Sequence, residues 1–208
     1  NMPISGSEDG HSYGLVGVDD NGVLIYNRTT NNSPTLSSLQ TANAKPLHAA
    51  GIKGAGMKTG VWDGGVGLTG HSGFVGGRYI IKDTGNNSPS VDVDGKNHAA
   101  HVAGTVAGGL WGTGITMGFA PQAQIFAYNW DSDISEMATA AAATTNKIYV
   151  SNHSYGLSAK RHFENGGTSS VFGQYNTSAR NYDILANNAP YYTIVFAAGN
   201  DRRDYARY

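Results

Sequence analysis

Apolar residues in this chain fall into short runs separated by polar, glycine-rich stretches, and the spacing inside each run predicts an element. Residues 13–26, YGLVGVDDNGVLIY, are two apolar runs around Asp20-Asn21-Gly22, a pattern that predicts a hairpin. The polar, punctuated NRTTNNSPTLSS that follows places a boundary near Leu36. LQTANAKPLHAAG then reads as short helical pieces interrupted at Pro46.

From there strands and helices alternate. MKTGVW (57–62), AQIFAYN (123–129), KIYVSN (147–152) and YYTIVFAA (191–198) are the predicted strands. Helices are predicted from His98 onward, through MATAAAATT, and over about 169–187. Asp133 and Glu136 are spaced as a capping box for the middle one. The alternation predicts an α/β fold, a mostly parallel sheet with helices on both faces. In such sheets functional residues collect just beyond the carboxyl ends of strands, a rule that selects Asp63, Ser154 and Asn200. No internal repeat interrupts the pattern.

Composition narrows the picture. The chain has 208 residues, no cysteine and a net charge of −1. Disulfides and thiol catalysis are thereby excluded, and there is no electrostatic case for nucleic acid or an anionic membrane surface. No apolar run approaches a membrane span, and no basic, apolar leader opens the chain at Asn1. Asn27, Asn31, Asn86, Asn152 and Asn176 match the glycosylation acceptor pattern, which an Asn-rich chain produces by chance.

Three stretches carry chemistry. GVWDGGVG sets Asp63 at the end of an apolar strand, where the following glycines can turn backbone N–H groups onto a buried carboxylate. NHAAHVAGTVAGG puts His98 after a candidate N-cap, Asn97, at the mouth of a helix of small residues. Alanines and glycines at 99, 100, 103, 104, 107 and 108 let that helix approach a sheet closely and hold the imidazole as a general base. Metal chelation by His98 and His101 is the competing reading. Metalloprotease pairs, however, are spaced i, i+4 around a Glu, and here only alanines intervene, so His101 reads as a packing residue. VFAAGN ends a buried strand with Asn200, whose amide can donate into a cleft. Taken singly, Asp63 also reads as an ordinary loop acceptor and Asn200 as a turn asparagine.

Together these stretches resemble the subtilisin-like serine proteases, the subtilase family. MKTGVWDGG is similar to the family's aspartate motif and NHAAHVAGT to its histidine motif, with Ala-Ala where Gly-Thr is usual. GFAPQAQIFAYN, VSNHSYG and VFAAGND resemble the strand after the histidine helix, the substrate-binding strand and the oxyanion motif. Order and spacing agree over about residues 38–201, within an N-terminal part of the catalytic domain taken as 38–208. Residues 1–37 stand outside as an N-terminal hairpin or propeptide remnant.

The resemblance implies that His98 is the general base, that Asp63 orients it, and that Asn200 donates to the oxyanion. It implies further that Ser154, Tyr155 and Gly156 pair with substrate backbone, and that with Ala197, Ala198 and Gly199 they line a side-chain pocket. Asp201 near its rim would favour a basic side chain. One motif is missing. The family's nucleophile lies in Gly-Thr-Ser-Met-Ala-x-Pro, after the oxyanion asparagine, and the chain ends at Tyr208. Gly167-Thr168-Ser169 precedes Asn200 and reads as a helix cap, so Ser169 is rejected as nucleophile.

The expectation is therefore a secreted serine endopeptidase acting on peptides and proteins. Its fold is incomplete without a C-terminal fragment of the same precursor that brings the serine. No cofactor is required for the chemistry. The family often binds structural calcium, and Asp83, Asp92 and Asp94 offer oxygen ligands, but a solvated polar loop explains them equally and no metal residue is assigned. The alternative is a non-catalytic, peptide-binding subtilase-like module, which has no need to retain Asp63, His98 and Asn200 together. A doubly wound ligand-binding domain would need a glycine fingerprint directly after a strand, and GGLWGTG follows a helix.

Overall fold

A computed structural model describes residues 5–8, 11–18, 24–30, 34–67, 70–83, 93–110, 117–156, 162–163 and 165–199. Side chains are described from Ser38 onward, except those of residues 93–97 and 171. The chain divides into two units, residues 1–131 and 132–208.

The first unit opens with β1 (Ser5–Glu8), β2 (His11–Val18) and β3 (Leu24–Thr30), an antiparallel sheet in that order. The predicted hairpin is β2–β3, with Leu15 opposite Tyr26 and a register shift between Leu15 and Gly17. Its turn residues lie outside the described ones. β1, whose SGSE has no apolar alternation, was not predicted. Two short helices follow, α1 (Pro34–Thr41) and α2 (Lys45–Ala49). Pro46 sits in the first turn of α2, where a missing N–H costs nothing, so it opens a helix instead of interrupting one.

The core of this unit is parallel. β4 (Lys58–Asp63) pairs with β6 (Gln124–Asn129), and β6 pairs on its other side with β5 (Tyr79–Ile81). Helix α3 (Val93–Ala107) lies against this sheet. Its Ala103 and Ala107 pack on Val61, Tyr79, Ile125 and Ala127 in one buried cluster. Small residues at these contacts bring the helix axis close, and enlarging one of them would overpack the site by about 1–3 kcal/mol. On neighbouring strands Trp62 and Tyr128 stack with ring centroids 4.1 Å apart.

The end of α3 is fully satisfied. Gly108 N–H returns to Gly104 O, while Gly118, Phe119 and Ala120 donate to the carbonyls of Gly108, Thr105 and Val106. The remaining carbonyl, on Ala107, accepts from the Arg78 guanidinium at 2.7 Å. Arg78 also donates to Ala123 O at 3.1 Å and to Gly73 O at 2.6 Å. A cation at a helix C-terminus is favoured by the macrodipole as well as by these bonds. Gly118 fits because a Cβ there would stand 2.6 Å from Gly104 O.

The second unit contains α4 (Asp133–Ala142), β7 (Val150–His153), α5 (Thr177–Asn188) and β8 (Thr193–Phe196). β7 and β8 are parallel, with His153 beside Phe196. Met137, Ala140 and Ala141 of α4, Ile148 and Leu185 of α5 are buried. All the strand pairs β4–β6, β5–β6 and β7–β8 are parallel, the α/β organisation predicted from the alternation.

Helix starts differ from expectation. α3 begins at Val93, so Asn97 is not a cap and His98 sits in the second turn instead of at the mouth. Asp133 is the first residue of α4, not the cap that the capping-box spacing predicts. Ser132 holds the cap position in a left-handed conformation, without a side-chain cap bond. α5 begins at Thr177, capped by Asn176, whose side chain accepts from Ala179 N–H at 3.0 Å. Ser169 lies upstream in a single 3₁₀ turn. No helix among the described residues is long and apolar enough to cross a membrane.

Candidate active site

β4 delivers Asp63 to its carboxyl end, where the side chain is 3% exposed. Its Oδ1 accepts the Gly64 N–H at 2.7 Å, the glycine-turn donor that the sequence suggested. The main chain is held too, since Asp63 O accepts from Trp130 N–H at 2.9 Å. A Cβ on Gly64 would stand 3.1 Å from the Trp130 ring, so the absence of one lets the indole lie over the turn.

Opposite this carboxylate stands His98. Its Nδ1 is 2.7 Å from Asp63 Oδ1 and 2.9 Å from Oδ2. A carboxylate only accepts, so the neutral ring carries its proton on Nδ1 and its lone pair on Nε2. The side chain is 34% exposed, and Nε2 has no partner among the described residues. The hydrogen bond to Asp63 raises the imidazole pKa above its ordinary value. Partial burial opposes that shift, and the carboxylate charge adds to it. The pair can hold a neutral imidazole in one tautomer and stabilise it once protonated, as a general base requires.

Tyr79 supports the pair from β5. It is buried, its hydroxyl donates to Val66 O, and burial together with the Asp63 charge pushes its pKa up. The Val66–Gly67 turn therefore runs between Tyr79 and α3. Gly67, at φ +67°, is required there, because a Cβ would meet the Tyr79 hydroxyl and stand 3.1 Å from Ala100 N. Sequence reading passed over Tyr79 because RYII is too short to register as a strand.

Ser154, Tyr155 and Gly156 follow β7 directly, and Ala197, Ala198 and Gly199 follow β8. Within the second unit these segments leave the same ends of paired strands, tied by Ala197 N–H to His153 O at 3.0 Å. Gly199 has φ +94°. Asn200 and Asp201 lie outside the described residues. His101 is exposed, not packed, because its position on α3 faces away from the Ala103–Ala107 stripe.

Among the described residues no cluster of three metal-ligating side chains occurs. Asp83 accepts the Asn129 N–H at 3.3 Å, and the Asp92 and Asp94 side chains lie outside the described residues, so no ligand set is assigned. Comparison with known proteins yields two findings. The model of the subtilase family matches residues 16–207. No curated protein matches the chain.

Proposed function

The chain belongs to the subtilase family of serine proteases, and from that premise we propose that it is the N-terminal portion of a secreted endopeptidase working through an Asp63–His98–Ser triad. The serine is supplied by a C-terminal fragment of the same precursor. The observation that carries the reading is the Asp63–His98 contact, which leaves Nε2 as the basic nitrogen at a partly open position.

In this scheme Nε2 takes the serine proton as the oxygen attacks the peptide carbonyl. Asp63 stabilises the imidazolium so formed, and the Asn200 amide donates to the oxyanion. His98 then protonates the leaving amine, and water repeats the sequence to release the acid. Ser154–Gly156 receives the substrate backbone as an added strand. Every proton transfer is carried by a named side chain.

Exposed apolar residues on β8 support a second fragment. Val195 is 47% and Phe196 41% exposed, and Tyr191 just before them is 80% exposed. Apolar surface of this kind on a strand is normally covered. The test is a serine-directed phosphonate label, read by intact mass under denaturing conditions. The expected result is label on a second polypeptide and none on this chain. Label on Ser154 or Ser169 would overturn the proposal, and a complete protein that takes no label would favour the non-catalytic peptide-binding module.

A further inference from the structure

Every second residue of VSNHSYG, from Ser151 through His153 to Tyr155, enters one hydrogen-bonded chain. His153 Nε2 is 2.7 Å from Ser151 Oγ, and His153 Nδ1 is 2.8 Å from Tyr155 Oη. Tyr155 Oη donates to Asp133 Oδ2 at 2.6 Å, and Tyr182 of α5 donates to the same oxygen at 2.6 Å. Ser151 and His153 are fully buried.

Donor counting fixes the direction. The Tyr155 proton is committed to the carboxylate, so its oxygen accepts, and His153 must carry its proton on Nδ1. Nε2 is then an acceptor, and Ser151 donates to it; the Met137 sulfur, 3.9 Å from Ser151 Oγ, is a weaker acceptor. The chain runs one way, Ser151 to His153 to Tyr155 to Asp133. Asp133 anchors it at the first turn of α4, where its Oδ1 also accepts Ile134 N–H at 2.6 Å and the helix dipole favours negative charge.

The chain also grips β8. Phe196 stacks on His153 with centroids 4.6 Å apart, and Tyr182 and Tyr155 meet it edge-on at 5.0 and 5.8 Å. Tyr155 lies in one segment assigned to the substrate, and Phe196 immediately precedes the other. Among the described residues, the charged and titratable groups facing His153 include Asp133 from α4, Tyr182 from α5 and Tyr155 beside it. Burial lowers the His153 pKa to about 4 against the opposing pull of Asp133, so the ring stays neutral over the working range of His98.

We infer that Asp133, His153 and Tyr182 are positioning residues that set the spacing of Ser154–Gly156 against Ala197–Gly199, and so govern the affinity for extended peptides. The inference rests on the proposed protease reading. None of the three touches the reacting atoms.

The test uses the complete enzyme with both fragments. Asp133→Asn cannot satisfy Ile134 N–H and the two tyrosine hydroxyls together, because one side of an amide donates. It should raise KM for a peptide spanning several residues about tenfold, the worth of one misplaced hydrogen bond. The phosphonate labelling rate and the acid limb set by His98 should stay unchanged. His153→Leu should do the same, and His153→Asn, which keeps a donor toward Tyr155, should recover most of the affinity. Nitrogen-15 NMR of the unsubstituted enzyme should find His153 as the Nδ1–H tautomer. Should a variant fail to fold, Tyr182→Phe, which removes only the outer hydroxyl, should give a smaller rise in KM. An Nε2–H tautomer, or lowered thermal stability with unchanged KM, would overturn the inference. An enzyme that no phosphonate labels would instead defeat the protease reading beneath it.

Discussion

Arg78 is the side chain on which the end of the His98 helix depends, and replacing it tests that dependence. Its guanidinium donates to the carbonyls of Ala107, Ala123 and Gly73 at 2.7, 3.1 and 2.6 Å. Ala107 and Ala123 are fully buried and Gly73 is buried, so these carbonyls gain little water when the donor is removed. Arg78→Met keeps the aliphatic stem and strands two acceptors, Ala107 O and Ala123 O, because Gly73 O keeps the Gly109 N–H at 2.7 Å. At about 1 kcal/mol each, discounted from the value for a fully buried charge because Arg78 is only partly buried, the loss is about 2 kcal/mol. Arg78→Lys, a single ammonium that cannot span three carbonyls, should lose roughly half as much. The assay is urea denaturation of the complete enzyme at fixed concentration, with the stability change read from the midpoint at unchanged slope. His98 lies roughly 13 Å up the helix axis at about 1.5 Å per residue, so folded Arg78→Met should keep its acid limb. A loss under about 0.5 kcal/mol, or Met and Lys behaving alike, would refute the reasoning.

Other outcomes follow from the site. Because Asp63 raises the His98 pKa, kcat/KM should fall on the acid side through a value above 6.5, and Asp63→Asn should lower kcat by about 10⁴. By linkage, the stability contributed by this pair is full below 6.5 and is lost as pH rises through the folded pKa, which pH-dependent denaturation would measure. Asn200→Leu should lower kcat by roughly 10²–10³ with little change in KM, and a KM effect with kcat intact would make Asn200 a binding residue only. His101→Ala should shift stability by no more than about 0.5 kcal/mol, since the side chain is exposed.

Local pattern by itself determined where β4, β6, β7, β8 and the β2–β3 strand pair fall, because apolar runs and the break between them act over few residues. It also identified the motif residues Asp63 and His98, and the parallel arrangement that puts Asp63 at a strand end. What it misjudged depended on partners distant in the chain. The start of α3 lies in polar residues with no apolar period, so the sequence placed His98 at a mouth that is one turn further back. Asp133 looked like half of a capping box, yet two tyrosine hydroxyls, one 49 residues away, claim its carboxylate. Whether His101 packs or faces water is set by which stripe of α3 meets the sheet, and the alanines at 103 and 107 take that stripe. β5 is only three residues long, and Arg78 and Tyr79 acquire their partners there only when it docks on β6. Periodicity reports which face of an element is buried, but hydrogen-bond partners separated by many residues exist only once the chain has closed around them.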